Sequence, residues 1–190
     1  MTATDPALQP EHAPAASRDA TPEMMREAFR ELHGRRLHGF TLLLTAGDRH
    51  AAAWLASDAL AAGTTRLDEL RHPERAAAWL RRRVVDRARV GRNEPVNDRL
   101  LEDLGADGSV LAAIARLDRL ERAALIASAI ERLDRRDVAT IVGRGGDGLD
   151  RLIRRARERY MGAYGATAAG GGADGPIVAH VREIARRAMA

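Results

Sequence analysis

Arginine is the side chain through which this sequence could act. All 31 basic residues are Arg, and a guanidinium stays charged at any physiological pH while offering a planar fork of donors that suits phosphate and guanine. Arg144, Arg151, Arg154, Arg155 and Arg157 crowd one short stretch. Other chemistry has little to build on. The chain has no Cys, so no thiol nucleophile, disulfide or Cys-based metal site is expected. His33 and His38 stand five apart, off the i,i+4 spacing of a helical metal pair; these and the other scattered histidines read as solvated or half-buried. Gly143-Arg144-Gly145-Gly146 is glycine-rich, but no strand precedes it and no Gly-Lys-Ser/Thr comes after, as a phosphate loop would need. No nucleophile–base set is visible. The expectation is a protein without catalysis, cofactor or metal.

The arginines need a scaffold, and the spacing around them predicts one. Asp134 caps a short helix running to Val142, with Asp137 three residues on as a variant of the capping box. Ala139 supplies the small contact that two steeply crossing helices require, and Gly143 the positive φ of a tight turn. Asp147 then caps a longer helix with Leu149, Ile153, Ala156 and Tyr160 on its apolar face; Leu149 and Leu152 lock its start across the first helix. This is a helix-turn-helix arrangement, whose second helix enters the DNA major groove. Arg151 would reach base edges there, and Arg154 and Arg155 the phosphates. An ordinary helical hairpin is the alternative.

The rest of the chain reads as helical too. Hydrophobic residues make up 45% and aromatics only 3%, which favours Ala/Leu/Val-packed helices over sheets that want aromatic and β-branched residues. Thr21-Pro22-Glu23 starts a helix whose apolar series is Met25, Phe29, Leu32, Leu37, Phe40 and Leu44, with a slight bend expected at Gly34. Gly47-Asp48 ends it and caps a second helix carrying Trp54, Leu55, Asp58 and Ala62, which breaks at Gly63-Thr64-Thr65. After a His72-Pro73 turn, a third helix from Glu74 to Val90 places Ala77, Leu80, Val84 and Ala88 on one face and Arg81, Arg82 and Arg89 elsewhere. Leu117, Leu120, Ala124, Ala127 and Ile130 predict a single amphipathic helix in the second half.

Charge divides the chain. Residues 21–91 hold 13 Arg against 9 acids, and 113–165 hold 12 against 8, whereas 92–112 hold 2 against 5. Two basic blocks around an acidic spacer suggest two modules that meet polyanions, although solvated arginine faces would give the same count. The expected organisation is all-α: a disordered arm (1–20), a helical domain (21–91), a flexible acidic linker (92–112), a helix-turn-helix domain (113–164), and a Gly/Ala linker with a short amphipathic helix from Pro176 (165–190). No apolar run approaches the roughly 18 residues of a membrane span, and the chain reads as cytoplasmic with no membrane partner.

The two halves, in this order, resemble regions two and four of the extracytoplasmic-function (ECF) group of bacterial RNA polymerase sigma factors. In the first half, Phe40 to Asp48 is similar to the end of the family's first helix and its Gly-Asp turn. Leu55 and Asp58 fall at positions usually apolar and acidic, and Ala78-Trp79-Leu80 with Asp86 matches a Trp-Leu segment. In the second half, Leu117, Glu121-Arg122, Ala124-Leu125, Glu131, Leu133, Asp137-Val138-Ala139, Ile141, Gly143, Leu149, Ile153 and Arg155-Ala156-Arg157 follow the region-four pattern. The resemblance spans about 21–164 and implies a transcription initiation factor whose partners are RNA polymerase core and promoter DNA, with an anti-sigma factor as a further candidate. It puts Trp54, Leu55 and Asp58 on the polymerase-docking surface and adds Arg81 and Arg82 to the DNA-binding candidates. It also places a pocket for a flipped base between the Arg66–Pro73 loop and the Trp79 helix.

The chain departs from the pattern in two places. The second helix lacks most of the family's acids, with Ala51, Ala53, Trp54 and Ser57 at those positions. In the recognition helix, Gly148, Asp150 and Leu152 replace the usual Thr, Lys and Arg, and Asp150 would repel phosphate. Two other functions are therefore carried as alternatives: a degenerate sigma-like adaptor that binds polymerase or an anti-sigma factor without initiating, and a helix-turn-helix repressor.

Overall fold

The computed structural model describes residues 21–90 and 108–167. The expected N-terminal arm, most of the acidic linker (all but 108–112) and the C-terminal helix lie outside these residues. Within them the fold is all-helical, with no strand: α1 (Pro22–Leu44), α2 (Arg49–Thr64), α3 (Pro73–Arg87), α4 (Gly108–Ala115), α5 (Arg119–Leu125, continued by a π-helical turn Ile126–Ile130), α6 (Arg135–Val142) and α7 (Gly146–Thr167). Helix α4 begins inside the stretch expected to be linker.

The helix ends follow local chemistry. The Thr21 hydroxyl accepts from the Met24 amide, with Pro22 in the first turn, and the Asp48 carboxylate accepts from the Ala51 amide at 2.9 Å. Between α1 and α2 the chain passes through left-handed backbone at Ala46 and Gly47 (φ 49° and 91°), and the Gly47 amide returns to the Leu42 carbonyl at 2.9 Å. Such a closure satisfies carbonyls that the helix end would leave bare.

Helix α1 runs through Gly34 as one element, and its buried stripe is Phe29, His33, Leu37, Phe40, Thr41 and Leu44. Met25 and Leu32, expected inside, are 47% and 59% exposed. With a continuous helical period, the residue that joins Phe29 to Leu37 is His33. Its ring meets Phe29 edge-on with centroids 4.6 Å apart. Gly63 lies in the last turn of α2 and not at a break before it; a Cβ there would come within 2.7 Å of the Phe29 ring, so the glycine lets α1 and α2 close up.

The expected helix from Leu117 to Ile130 is also corrected. Leu117 is buried in a turn, and the helix starts after it with a reciprocal capping box. The Asp118 carboxylate accepts from the Glu121 amide at 2.9 Å, and the Glu121 carboxylate from the Asp118 amide at 3.1 Å.

One apolar core extends through both halves of the sequence, from Leu37, Phe40, Leu44 and Leu80 to Ile114, Ile126, Ile141 and Leu149. The halves do not stand apart as separately packed modules. Helix α3 is covered on one side by α1 and α2 and on the other by α6, which is why its buried set (Ala76, Ala78, Leu80, Arg81, Val84, Val85) is wider than a single stripe. Polar groups reinforce the join. Arg122, fully buried, donates to the carbonyls of Leu117 (3.0 Å) and Ala115 (2.9 Å) in its own half and of Leu44 (2.9 Å) in the other. Arg119 donates to the Ala88 carbonyl at 3.1 Å.

Candidate nucleic-acid interface

Helices α6 and α7, with the turn between them, occupy the stretch expected to form the helix-turn-helix unit. The Asp134 carboxylate caps α6 by accepting from the Asp137 amide at 2.9 Å. Gly143 ends α6 in the left-handed conformation (φ 64°, ψ 32°), its amide returning to the Ala139 carbonyl. Val138, Ile141 and Val142 of α6 and Leu149, Leu152, Ala156 and Tyr160 of α7 are all buried in the common core, and Ile153 lies half-buried at its edge. Leu152 therefore belongs to the apolar face.

On a helix with that buried face, residues 151, 154, 155 and 158 point the other way. Arg144, Arg151, Arg154, Arg155 and Arg157 are all exposed. Arg154 makes only a solvent-exposed 3.8 Å pairing with Glu158, which is worth little. Arg155 differs, because its Nε stands 3.8 Å from the buried Glu121 carboxylate, which Arg159 also holds at 2.5 Å. That carboxylate draws Arg155 back toward the body of the protein. The outward cationic edge is thus carried by Arg144, Arg151, Arg154 and Arg157.

Asp150, expected to repel phosphate, is engaged within the unit. Arg135 at the start of α6 binds both of its carboxylate oxygens and also donates to the Gly146 carbonyl at 3.2 Å. The hydrogen bond from Arg135 holds the Asp150 carboxyl below the usual carboxylate range, and the pairing raises the guanidinium in turn. The pair ties the N-terminus of α6 to the first turn of α7 and neutralises the acid.

The first-half candidates are placed differently. The Arg81 side chain is 5% exposed. It makes a two-pronged ion pair with Glu131, Nε to Oε2 at 2.7 Å and Nη2 to Oε1 at 2.5 Å, and donates to the Ala77 carbonyl at 3.0 Å. It is a structural residue in this conformation and not an exposed DNA contact. Arg82 is half-buried, pairs with Asp86 at 2.7 Å, and lays its guanidinium against Gly143, where a Cβ would fall 1.9 Å from Nη1.

The polymerase-docking candidates split as well. Trp54 is 53% exposed, with the Arg87 guanidinium 5.8 Å from its ring centroid. Leu55 is buried in the core and cannot present a docking surface. Asp58 is half-buried and held by Arg83 and Arg87, each at 3.2 Å. Trp79 is half-buried beneath Arg66, 5.7 Å away. A cleft beside it is bordered by His72 and Arg75 on the α3 side and by Asp134, Arg136 and Asp137 from α6. Burial, with Asp134 next to it, pushes the Asp137 carboxyl above the usual range.

Sequence reasoning missed Glu121 and Arg122 as buried polar anchors and Glu131 as the partner of Arg81. Asp118-x-x-Glu121 was the available signal for the first; the others are long-range pairings with no local signature. Among the described residues, no cluster of His, Cys, Asp or Glu could hold a metal ion, and no helix is long and apolar enough to cross a membrane. Neither family models, nor curated proteins, nor solved structures give a match to this chain.

Proposed function

We propose that the chain is a divergent sigma factor of the ECF type, cytoplasmic, which binds RNA polymerase core and directs promoter recognition and initiation. Its two functional modules would be the α1–α3 bundle and the α4–α7 helix-turn-helix half. The observation that carries the reading is the set of exposed Arg144, Arg151, Arg154 and Arg157 on and beside α7, where Asp150, in the first turns of the helix, is paired with Arg135. Arg151 would read a base edge while Arg154 and Arg157 grip phosphates. Trp54, exposed where the family carries acids, would dock the polymerase through an aromatic contact.

A second reading, the sigma-like adaptor that binds without initiating, draws support from Arg81 and Leu55, both interior. Pull-down against core polymerase and then run-off transcription test the proposal. A sigma factor is expected to pass both and an adaptor only the first. A repressor would fail the first while still binding duplex DNA.

A further inference from the structure

Two of the arginines on α7 are claimed by a carboxylate of α5. Residues four apart on a helix lie about 40° further round its surface, so Arg151, Arg155 and Arg159 form a row that winds from the exposed face of α7 toward its buried side. Glu121, wholly enclosed, stands at the end of that row. Its Oε1 accepts from Arg159 Nη1 at 2.5 Å and lies 3.8 Å from Arg155 Nε, while its Oε2 accepts from the Asp118 amide at 3.1 Å. The Arg155 and Arg159 side chains themselves remain 49% and 39% exposed. Solvent is open to both, and the carboxylate is the group that fixes where they lie. Resting on the reading of α7 as a helix that meets duplex DNA, we propose that Glu121 is a positioning residue that limits the grip on the DNA backbone: it occupies Arg155 and Arg159 in the place of a phosphate.

Carboxylate and phosphate oxygens compete for the same guanidinium donors. Drawing both arginines away from Glu121 would leave a buried charge without its partners, which is strongly unfavourable. A phosphate beside this flank of α7 therefore does not recruit them. The opposite flank is different, because Arg154 has only an exposed pairing with Glu158 and Arg157 is exposed. Backbone contacts add affinity for every sequence, whereas base contacts discriminate. With two cations withheld, a larger share of the affinity has to come from Arg151 and the bases it meets.

The test uses the full chain and a fluorescent duplex of scrambled sequence, titrated by anisotropy at several salt concentrations. Glu121→Gln keeps an acceptor for the Asp118 amide and removes the charge. It should tighten binding about tenfold at low salt and steepen the dependence of log affinity on log salt by roughly 0.9 for each guanidinium released. Adding Arg155→Gln and Arg159→Gln to that variant should return the slope to the parent's. A merely structural role for Glu121 would lower the melting temperature and leave the slope where it was. In the parent, Arg155→Gln and Arg159→Gln made singly should not change the slope, whereas Arg154→Ala lowers it; this arm carries the test if Glu121→Gln does not fold. A slope in Glu121→Gln equal to the parent's would overturn the proposal, as would a shallower slope in either single arginine variant. Failure of the DNA reading shows separately, as a parent and a Glu121→Gln variant that both lack salt-dependent duplex binding.

Discussion

The Arg122 guanidinium, wholly enclosed, donates to the carbonyl oxygen of Leu44, 78 residues earlier in the chain, at 2.9 Å. Leu44 is the last residue of α1, and its carbonyl is one that the helix itself leaves without a partner. A charged side chain from the second half thus finishes a helix of the first. The same guanidinium serves the Leu117 and Ala115 carbonyls at the end of α4.

Arg122→Met should keep much of the buried volume and remove the donors. Each buried carbonyl left bare is costly, so we expect a loss of roughly 3 kcal/mol, read as a lower midpoint in urea unfolding. Faster amide exchange at the start of α2 and around Asp118 should accompany it. A variant as stable as the parent would mean that water replaces the guanidinium without cost.

Trp54 and Leu55 are neighbours with opposite fates. Trp54→Ala should change stability by no more than about 0.5 kcal/mol, as surface substitutions usually do, whereas Leu55→Ala should cost about 2–5 kcal/mol through a core cavity. Weaker retention of core polymerase by Trp54→Ala at an unchanged melting temperature would support its docking role. A large drop in that melting temperature would contradict the exposed placement.

The recognition helix makes a graded prediction. Arg151→Ala should cost about 1–3 kcal/mol at one base pair and relax the preference there. Arg154→Ala should weaken binding to every duplex and flatten the salt dependence by roughly one unit of slope. Asp150→Asn should release Arg135 toward phosphate, tightening binding without regard to sequence and steepening that slope. Anisotropy titrations on promoter-like and scrambled duplexes at several salt concentrations measure all three. Equal affinities for all variants would remove α7 from DNA binding.

His33 gives the molecule a pH dependence. Burial, together with Arg81 and Arg36, holds its imidazole below the ordinary value. The unfolded chain then binds the proton more readily than the folded one, so stability falls as pH drops from about 6.5 toward the lowered folded value. Urea midpoints at pH 7.5 and pH 5.5 should differ more for the parent than for His33→Gln. Equal differences would place His33 in contact with water.

Much of this arrangement was legible, and where it was not the reason is physical. The caps at Thr21, Asp48 and Asp134 and the left-handed turn at Gly143 are local bargains between a side chain or a glycine and a few backbone groups, so spacing alone exposes them. The inward placement of Leu149, Ala156 and Tyr160 comes from period. The stripe of α1 misled because His33 occupies an apolar position: polarity argued for Leu32, whereas the pitch of an unbent helix selects its neighbour. Arg81 misled for the opposite reason. A guanidinium is read as a surface group until its carboxylate is found, and Glu131 lies fifty residues away in sequence. The exposed Arg151 and Arg154 were legible because a second helix with one apolar face leaves them one direction to point, and Arg144 because it sits in the turn before that helix.

The π-helical turn at Ile126–Ile130 has its amide of Glu131 bonded to the carbonyl of Ile126 at 2.9 Å, a step of five residues rather than four. Relative to an ordinary helix it accommodates one surplus residue. Taking that residue out would turn the downstream chain by about 100° about the helix axis, swinging Glu131 away from Arg81. The aim of the carboxylate is therefore a matter of chain phasing, and a one-residue deletion between Ile126 and Ile130 would undo a contact that no substitution there touches directly.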